Sequence, residues 1–118
     1  MEKRRHARID FRKDAKLTVL PAGPSFKVHT LNLSISGAGI FSSLTLEPGQ
    51  AIRLSVCLSD SKKANHSESI TGNIVHAWLN PASVDPNGRV LGILFDEFVS
   101  HNNCPGLWRV LQEGLKKA

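Results

Sequence analysis

The chain has 118 residues, enough for one domain with a modest core and too few for two. Apolar residues make up 41% and charged residues 21%, ordinary globular values that exclude a wholly disordered chain. The net charge is +5, and residues 1–16 carry +4 of it: Lys3, Arg4, Arg5, Arg8, Arg12, Lys13 and Lys16 stand against Glu2, Asp10 and Asp14.

After this basic head the chain reads as short strands separated by turn residues. Lys16 to Leu20 is a strand candidate, ended by Pro21-Ala22-Gly23-Pro24. Ser25 to Leu33 is rich in Phe, Val, Thr and Leu and stops at Ser34-Ile35-Ser36-Gly37. Ala38 to Ser42 forms another apolar run, and Glu47-Pro48-Gly49-Gln50 is a turn. From Ala51 to Leu58, Ile52, Leu54, Val56 and Leu58 alternate with Arg53, Ser55 and Cys57, the period of a half-buried strand. Ser59 to Ser67 is polar and reads as a loop. Ile70 to Leu79 is a longer strand, Pro86-Asn87-Gly88 a turn, and Arg89 to Phe95 a last strand. Strands at this spacing predict an antiparallel barrel or sandwich, and a barrel suits so short a chain because closure removes exposed edges. Leu107, Leu111 and Leu115 recur every fourth residue, which predicts a helix over about 104–117 with an apolar stripe on one face. Gly114 weakens its last turn.

A localised positive charge of this kind fits either a solvated basic tail, the commoner case, or a site for an anionic partner: nucleic acid, a phosphorylated small molecule or anionic lipid. No apolar run approaches the ~20 residues that cross a bilayer, and no apolar stretch follows the N-terminal charges as in a secretory signal. A cytoplasmic protein without a membrane span is expected. Cys57 and Cys104 are too few for a disulfide scaffold or a Cys-rich zinc site and are expected as reduced thiols. His6, His29, His66, His76 and His101 are scattered singly, and no motif of a hydrolase, metalloprotease or phosphate loop occurs. The chain is expected not to be an enzyme and to carry neither metal nor cofactor.

Two short segments stand out. The first is Arg4-Arg5-His6-Ala7-Arg8. A guanidinium presents a planar fork that bonds bidentately to phosphate and equally to the O6 and N7 acceptors of guanine. The second is Asn32-Leu33-Ser34-Ile35-Ser36-Gly37. On a strand, Asn32 and Ser34 would share one face while Leu33 faced the core. Asn32 offers both a carbonyl and an amide and so suits a purine edge. Gly37 allows a tight turn.

In this order and at this separation the two segments resemble the PilZ domain family. Its pattern is Arg-x-x-x-Arg before the first strand and Asp/Asn-x-Ser-x-x-Gly later in the chain. Arg4 and Arg8 match the first motif; Asn32, Ser34 and Gly37 match the second, with Asn in place of the commoner Asp. The turn and alternating strand over Glu47 to Leu58, the long strand Ile70 to Leu79 and the last strand with Gly92 and Phe95 are also similar, so the resemblance covers about residues 3–100.

The resemblance implies an all-β domain with a helical appendage: a six-stranded antiparallel barrel over 17–100, preceded by a flexible basic arm over 1–16 and followed by a C-terminal helix over 101–118 packed on the barrel. It implies a bacterial receptor for the second messenger cyclic di-GMP, with the ligand as the only small molecule required. Arg4 and Arg8 would hold phosphates and guanine edges, with Arg5 assisting; Lys3 would either add charge or stand solvated. Asn32 and Ser34 would bond a guanine base or nearby ligand atoms, and Gly37 would keep the backbone close to it. Trp78 could stack on a guanine or pack in the core. The arm would become ordered on binding, and the signal would pass to an unidentified downstream protein controlling motility, exopolysaccharide or adhesion. Two other readings stand beside this one. The chain could be a PilZ-like protein-interaction adaptor without nucleotide dependence. It could also be a barrel that binds single-stranded nucleic acid, although its few aromatics and confined charge argue against a nucleic-acid partner.

Overall fold

In the computed structural model, residues 6–58, 66–79 and 88–117 are described. The loop expected over 59–67 and the turn at 86–88 lie mostly outside these residues.

Seven strands form one antiparallel sheet: β1 (Ile9–Asp10), β2 (Asp14–Val19), β3 (Ser25–Leu33), β4 (Gly37–Ser42), β5 (Ala51–Cys57), β6 (Ser67–Leu79) and β7 (Arg89–Phe95). Neighbours run β3-β2-β5-β6-β7-β4, and β4 pairs back to β3, so six strands close into a barrel. The expected six-stranded fold is present. Closure explains how a chain this short avoids open edges on its central strands. The outside strand β1 continues the line of β2 along β3, pairing Ile9 with Leu33 and Asp10 with Asn32.

Period-two alternation fills the interior. Ala15 and Leu17 of β2, Val28 of β3, Ala38 and Ile40 of β4, Ile52, Leu54 and Val56 of β5, Ile70 and Ile74 of β6, and Leu91, Ile93 and Phe95 of β7 are all buried. Burying one such aliphatic side chain fully contributes about 2 kcal/mol, so the alternating pattern fixes which face of each strand turns inward.

Charge alone marks off residues 1–16, but β1 and the start of β2 lie within that range, and Phe11 and Ala15 are buried. Thr30, itself buried, bridges the break between the two strands. Its Oγ1 accepts the Lys13 N–H at 2.7 Å and donates to the Phe11 carbonyl at 2.8 Å. Both backbone groups would otherwise lack partners where pairing is interrupted.

The helix α1 (Pro105–Lys117) is tied down at both ends. Leu107 and Leu111 are fully buried. Glu68 of β6 is buried beneath the helix start, where its carboxylate accepts the Gly106 N–H at 2.7 Å and the Leu107 N–H at 2.9 Å. An anion there satisfies two of the donors that a helix N-terminus leaves open, and it complements the helix dipole. At the other end Gly114 allows close approach to β1, since a Cβ there would lie 2.8 Å from Ile9 Cδ1. Cys104, just before the helix, is buried, and burial together with the nearby Glu68 and Glu97 carboxylates raises its thiol above the ordinary value.

Glu68→Ala leaves two helix N–H groups without their acceptor, and chemical denaturation should show a loss of about 3 kcal/mol, with Glu68→Gln losing less. Thr30→Val should lower stability by about 2 kcal/mol and speed hydrogen exchange at the Lys13 amide, because the methyl can neither accept nor donate.

Candidate functional site

The site lies on the outside of the barrel, and two β-bulges create it. Along β3, Val28 and Thr30 point inward, so strict alternation would send Asn32 inward as well. The pairing shifts by one residue between Thr30 and Asn32, with Thr30 opposite Ile40 and Asn32 opposite Gly39. The extra residue, Leu31, reverses the faces. Asn32 turns outward and Leu33 becomes a buried core residue. The same event occurs on β6. Ile70 and Ile74 point inward, and the register shifts between Ile74 and His76. Val75 is the extra residue, and His76 turns outward opposite Gly92.

These shifts align four residues across four strands: Asn32 opposite Gly39, Gly39 opposite Gly92, and Gly92 opposite His76. Three strand spacings of about 4.8 Å put the ends of the row roughly 14 Å apart. Between them the wall carries no side chain. Asn32 and His76 lean over this floor from its ends. A Cβ on Gly39 would lie 3.0 Å from Asn32 Oδ1, and one on Gly92 would lie 3.2 Å from His76 Cδ2. Single glycines inside strand patterns are the sequence signal for such close approaches. Gly92 entered the sequence reading only through the family resemblance. Gly39 and His76 did not enter it as site residues, because cross-strand register is not written locally.

Arg8 reaches this row. Its Nη1 donates to Asn32 Oδ1 at 2.5 Å, and the same oxygen accepts the Gly39 N–H at 2.9 Å. The backbone donor fixes which end of the carboxamide faces β4, so the oxygen is committed inward and the amide end remains a donor. The residue just before Ala7 is anchored too: the His6 ring meets the Phe98 ring edge-to-face at 4.9 Å.

Ser34 and Gly37 follow Asn32 at the turn. β3 ends at Leu33, so the expected shared face of Asn32 and Ser34 does not continue, and Ser34 is buried. Its Oγ accepts the Ser36 N–H at 3.2 Å and the Gly37 N–H at 3.1 Å. The Ser34 N–H donates to the Gly37 carbonyl at 2.8 Å. Gly37 is required by packing, since a Cβ would sit 2.2 Å from the Ile93 carbonyl oxygen. Both residues build the turn that presents Asn32. Trp78 lies on β6 with its backbone opposite Val90; its side chain is outside what is described. Arg4 and Arg5, with Lys3, precede the described residues.

Among the described residues, no group of three or more His, Cys, Asp or Glu could hold a metal ion. No helix among them is long and apolar enough to cross a membrane.

Comparison with known proteins agrees with this architecture. The structure of the Bacillus subtilis inhibitor of motility MotI (DgrA) is similar with a TM-score of 0.73 at 15% identity, over 99% of this chain and 52% of that one. The PilZ domain of Escherichia coli YcgR, solved with c-di-GMP, gives 0.66 at 15% identity, over 98% and 94%. MrkH, a c-di-GMP-dependent transcription regulatory factor, gives 0.69 at 13% identity, over 100% and 53%. The chain thus spans about half the length of two of these proteins. No curated protein sequence matches it. The family model described as the PilZ domain matches residues 2–99, which contain all seven strands and most of the basic head. The chain belongs to the PilZ domain family.

Proposed function

We propose that the chain is a cytoplasmic cyclic di-GMP receptor that passes ligand occupancy to a partner protein through its N-terminal segment. The observation that carries this reading is the meeting of Arg8 and Asn32 at the edge of a glycine-floored row on the barrel exterior. Membership in the family, and likeness in fold to a PilZ domain solved with c-di-GMP, support the choice of ligand.

Each residue has a chemical task. Arg4, Arg5 and Arg8 supply forked donors for phosphate oxygens and for guanine O6 and N7. The Asn32 amide donates to the same kind of acceptor. Gly39 and Gly92 let a flat base lie against the wall. Ser34 and Gly37 hold the turn that sets the position of Asn32. Trp78, whose backbone pairs with Val90 in the neighbouring row, would be the residue to stack on a base. Charge-assisted hydrogen bonds contribute about 1.5–3 kcal/mol each. Four or five of them, less the ordering of the arginine segment, reach roughly −8 kcal/mol, or micromolar affinity.

The route outward is short. A ligand engaging Arg8 pulls on a segment that holds His6 against Phe98 and Ile9 against α1. An ordering step of this kind is an established switching mode. Leu94 and Phe98 are 52% and 56% exposed. They favour a second reading, an interaction adaptor whose partner binds regardless of nucleotide.

Isothermal titration with cyclic di-GMP should give a micromolar Kd for the wild type, with Arg8→Ala and Asn32→Ala each weaker by about tenfold or more. If neither heat nor a thermal shift appears with the wild type at ~100 μM ligand, the receptor reading is lost. Partners captured equally with and without ligand would establish the adaptor instead.

A further inference from the structure

The next outward row along the barrel pairs His29 with Phe41 and Phe41 with Val90. Phe41 lies two residues beyond Gly39 on β4, about 7 Å along the strand. Arg12 emerges from the break between β1 and β2, and its guanidinium lies over the Phe41 ring, 5.7 Å from the centroid. Asp10 Oδ1 holds Arg12 Nε at 3.0 Å. On the other side, His29 Nδ1 is 2.9 Å from Asp14 Oδ1. With Lys13 and Thr30, the residues Arg12, Asp14, His29 and Phe41 line a cleft of about 370 Å³.

The chemistry of this cleft narrows its ligand. Arg12 and Lys13 are opposed by Asp10 and Asp14, so the charges nearly cancel and a bare phosphate gains little. A planar base fits better. Its face can stack on the Phe41 ring or the guanidinium plane. Guanine presents O6 and N7 acceptors that suit Arg12 and Lys13, and an N2 amino donor that suits a carboxylate. Adenine has an amino donor in place of O6 and would face the cations poorly. The two ion pairs are both more than half exposed, and exposed pairs add little to stability, so folding alone does not account for the arrangement.

We infer that the Phe41–Arg12 cleft binds a guanine base, the second base of the cyclic dinucleotide whose first base rests at Asn32. This rests on the receptor reading above and adds a subsite to it. The two subsites then make the site select a guanine dinucleotide by both of its bases.

The test uses the full chain with Arg12→Ala, Phe41→Leu and Arg8→Ala, titrated with cyclic di-GMP and cyclic di-AMP. Phe41→Leu keeps an apolar side chain while removing the π face, and Arg12 is exposed, so both proteins should melt close to the wild type without ligand. Each should bind cyclic di-GMP about tenfold more weakly. Arg12→Ala should also narrow the preference over cyclic di-AMP, which a merely structural role would not do. In the wild type, the His29 imidazole NMR signals should shift on saturation. If Arg8→Ala loses binding while both cleft variants bind like the wild type and His29 does not respond, the subsite is refuted and the receptor reading stands. If the wild type binds no cyclic di-GMP, both fall together.

Discussion

One extra residue in each of two strands decides what the outside of this barrel offers. Alternation is a rigid rule in a closed sheet, because every strand has one face in the core. Without Leu31 as a bulge residue, Asn32 would bury its carboxamide where Leu33 now packs. An unpartnered buried amide costs about 1–3 kcal/mol, and an exposed Leu33 would forfeit its burial. The bulge avoids both losses and re-aims a polar side chain onto the surface. Val75 does the same for His76. The glycines opposite, Gly39 and Gly92, then lie between two polar side chains that simple strands would have hidden.

The Asn32 carboxamide shows how the local structure sets the hydrogen-bonding groups left at the surface. Its oxygen already accepts two hydrogen bonds, one from Arg8 and one from the Gly39 backbone. What remains is a pair of N–H donors. A donor there complements a guanine acceptor edge, whereas an Asp at the same place would present a second oxygen and complement N–H groups. On the receptor reading, the departure from the commoner Asp therefore changes which edge of a base this position can meet. The same reading gives Arg8 a part in signalling. A ligand that draws Arg8 away from Asn32 acts on a segment joined through Ile9 to α1, and Glu68 holds the opposite end of that helix to β6.

Much of the fold was legible because most of the strands keep simple alternation. The ends of β3 and β7 coincide with the sequence reading, and β2, β4 and β5 differ by one or two residues. β6 begins three residues before the apolar run, at Ser67, because Glu68 is a buried carboxylate whose hydrogen bonds go to a helix start nearly forty residues away. No local pattern announces a polar residue buried for a distant helix. β1 was equally hidden, being two residues inside a run of charges. At the site, Arg8 and Asn32 were legible from motif and spacing, and they do meet. The bulges were not, since Leu31 and Val75 are ordinary strand residues. Gly39, His76 and Phe41 acquire their places only through pairing across strands, and Arg12 only through its contacts with Asp10 and Phe41.

Gly37, Gly39 and Gly92 are not equivalent, and the difference separates the fold from its outer surface. At Gly37 an added carbon would collide with a backbone carbonyl that cannot move without breaking the pairing of β4 with β7. At Gly39 and Gly92 it would meet the side chains of Asn32 and His76, which can turn aside. Changes on the floor therefore act first on Asn32 and His76 and only weakly on the barrel. Inward residues, with Thr30, Ser34 and Gly37, hold the structure; outward residues on the same strands define the surface. Because the two sets share strands but not faces, the chemistry of the surface can vary while the barrel beneath it stays closed.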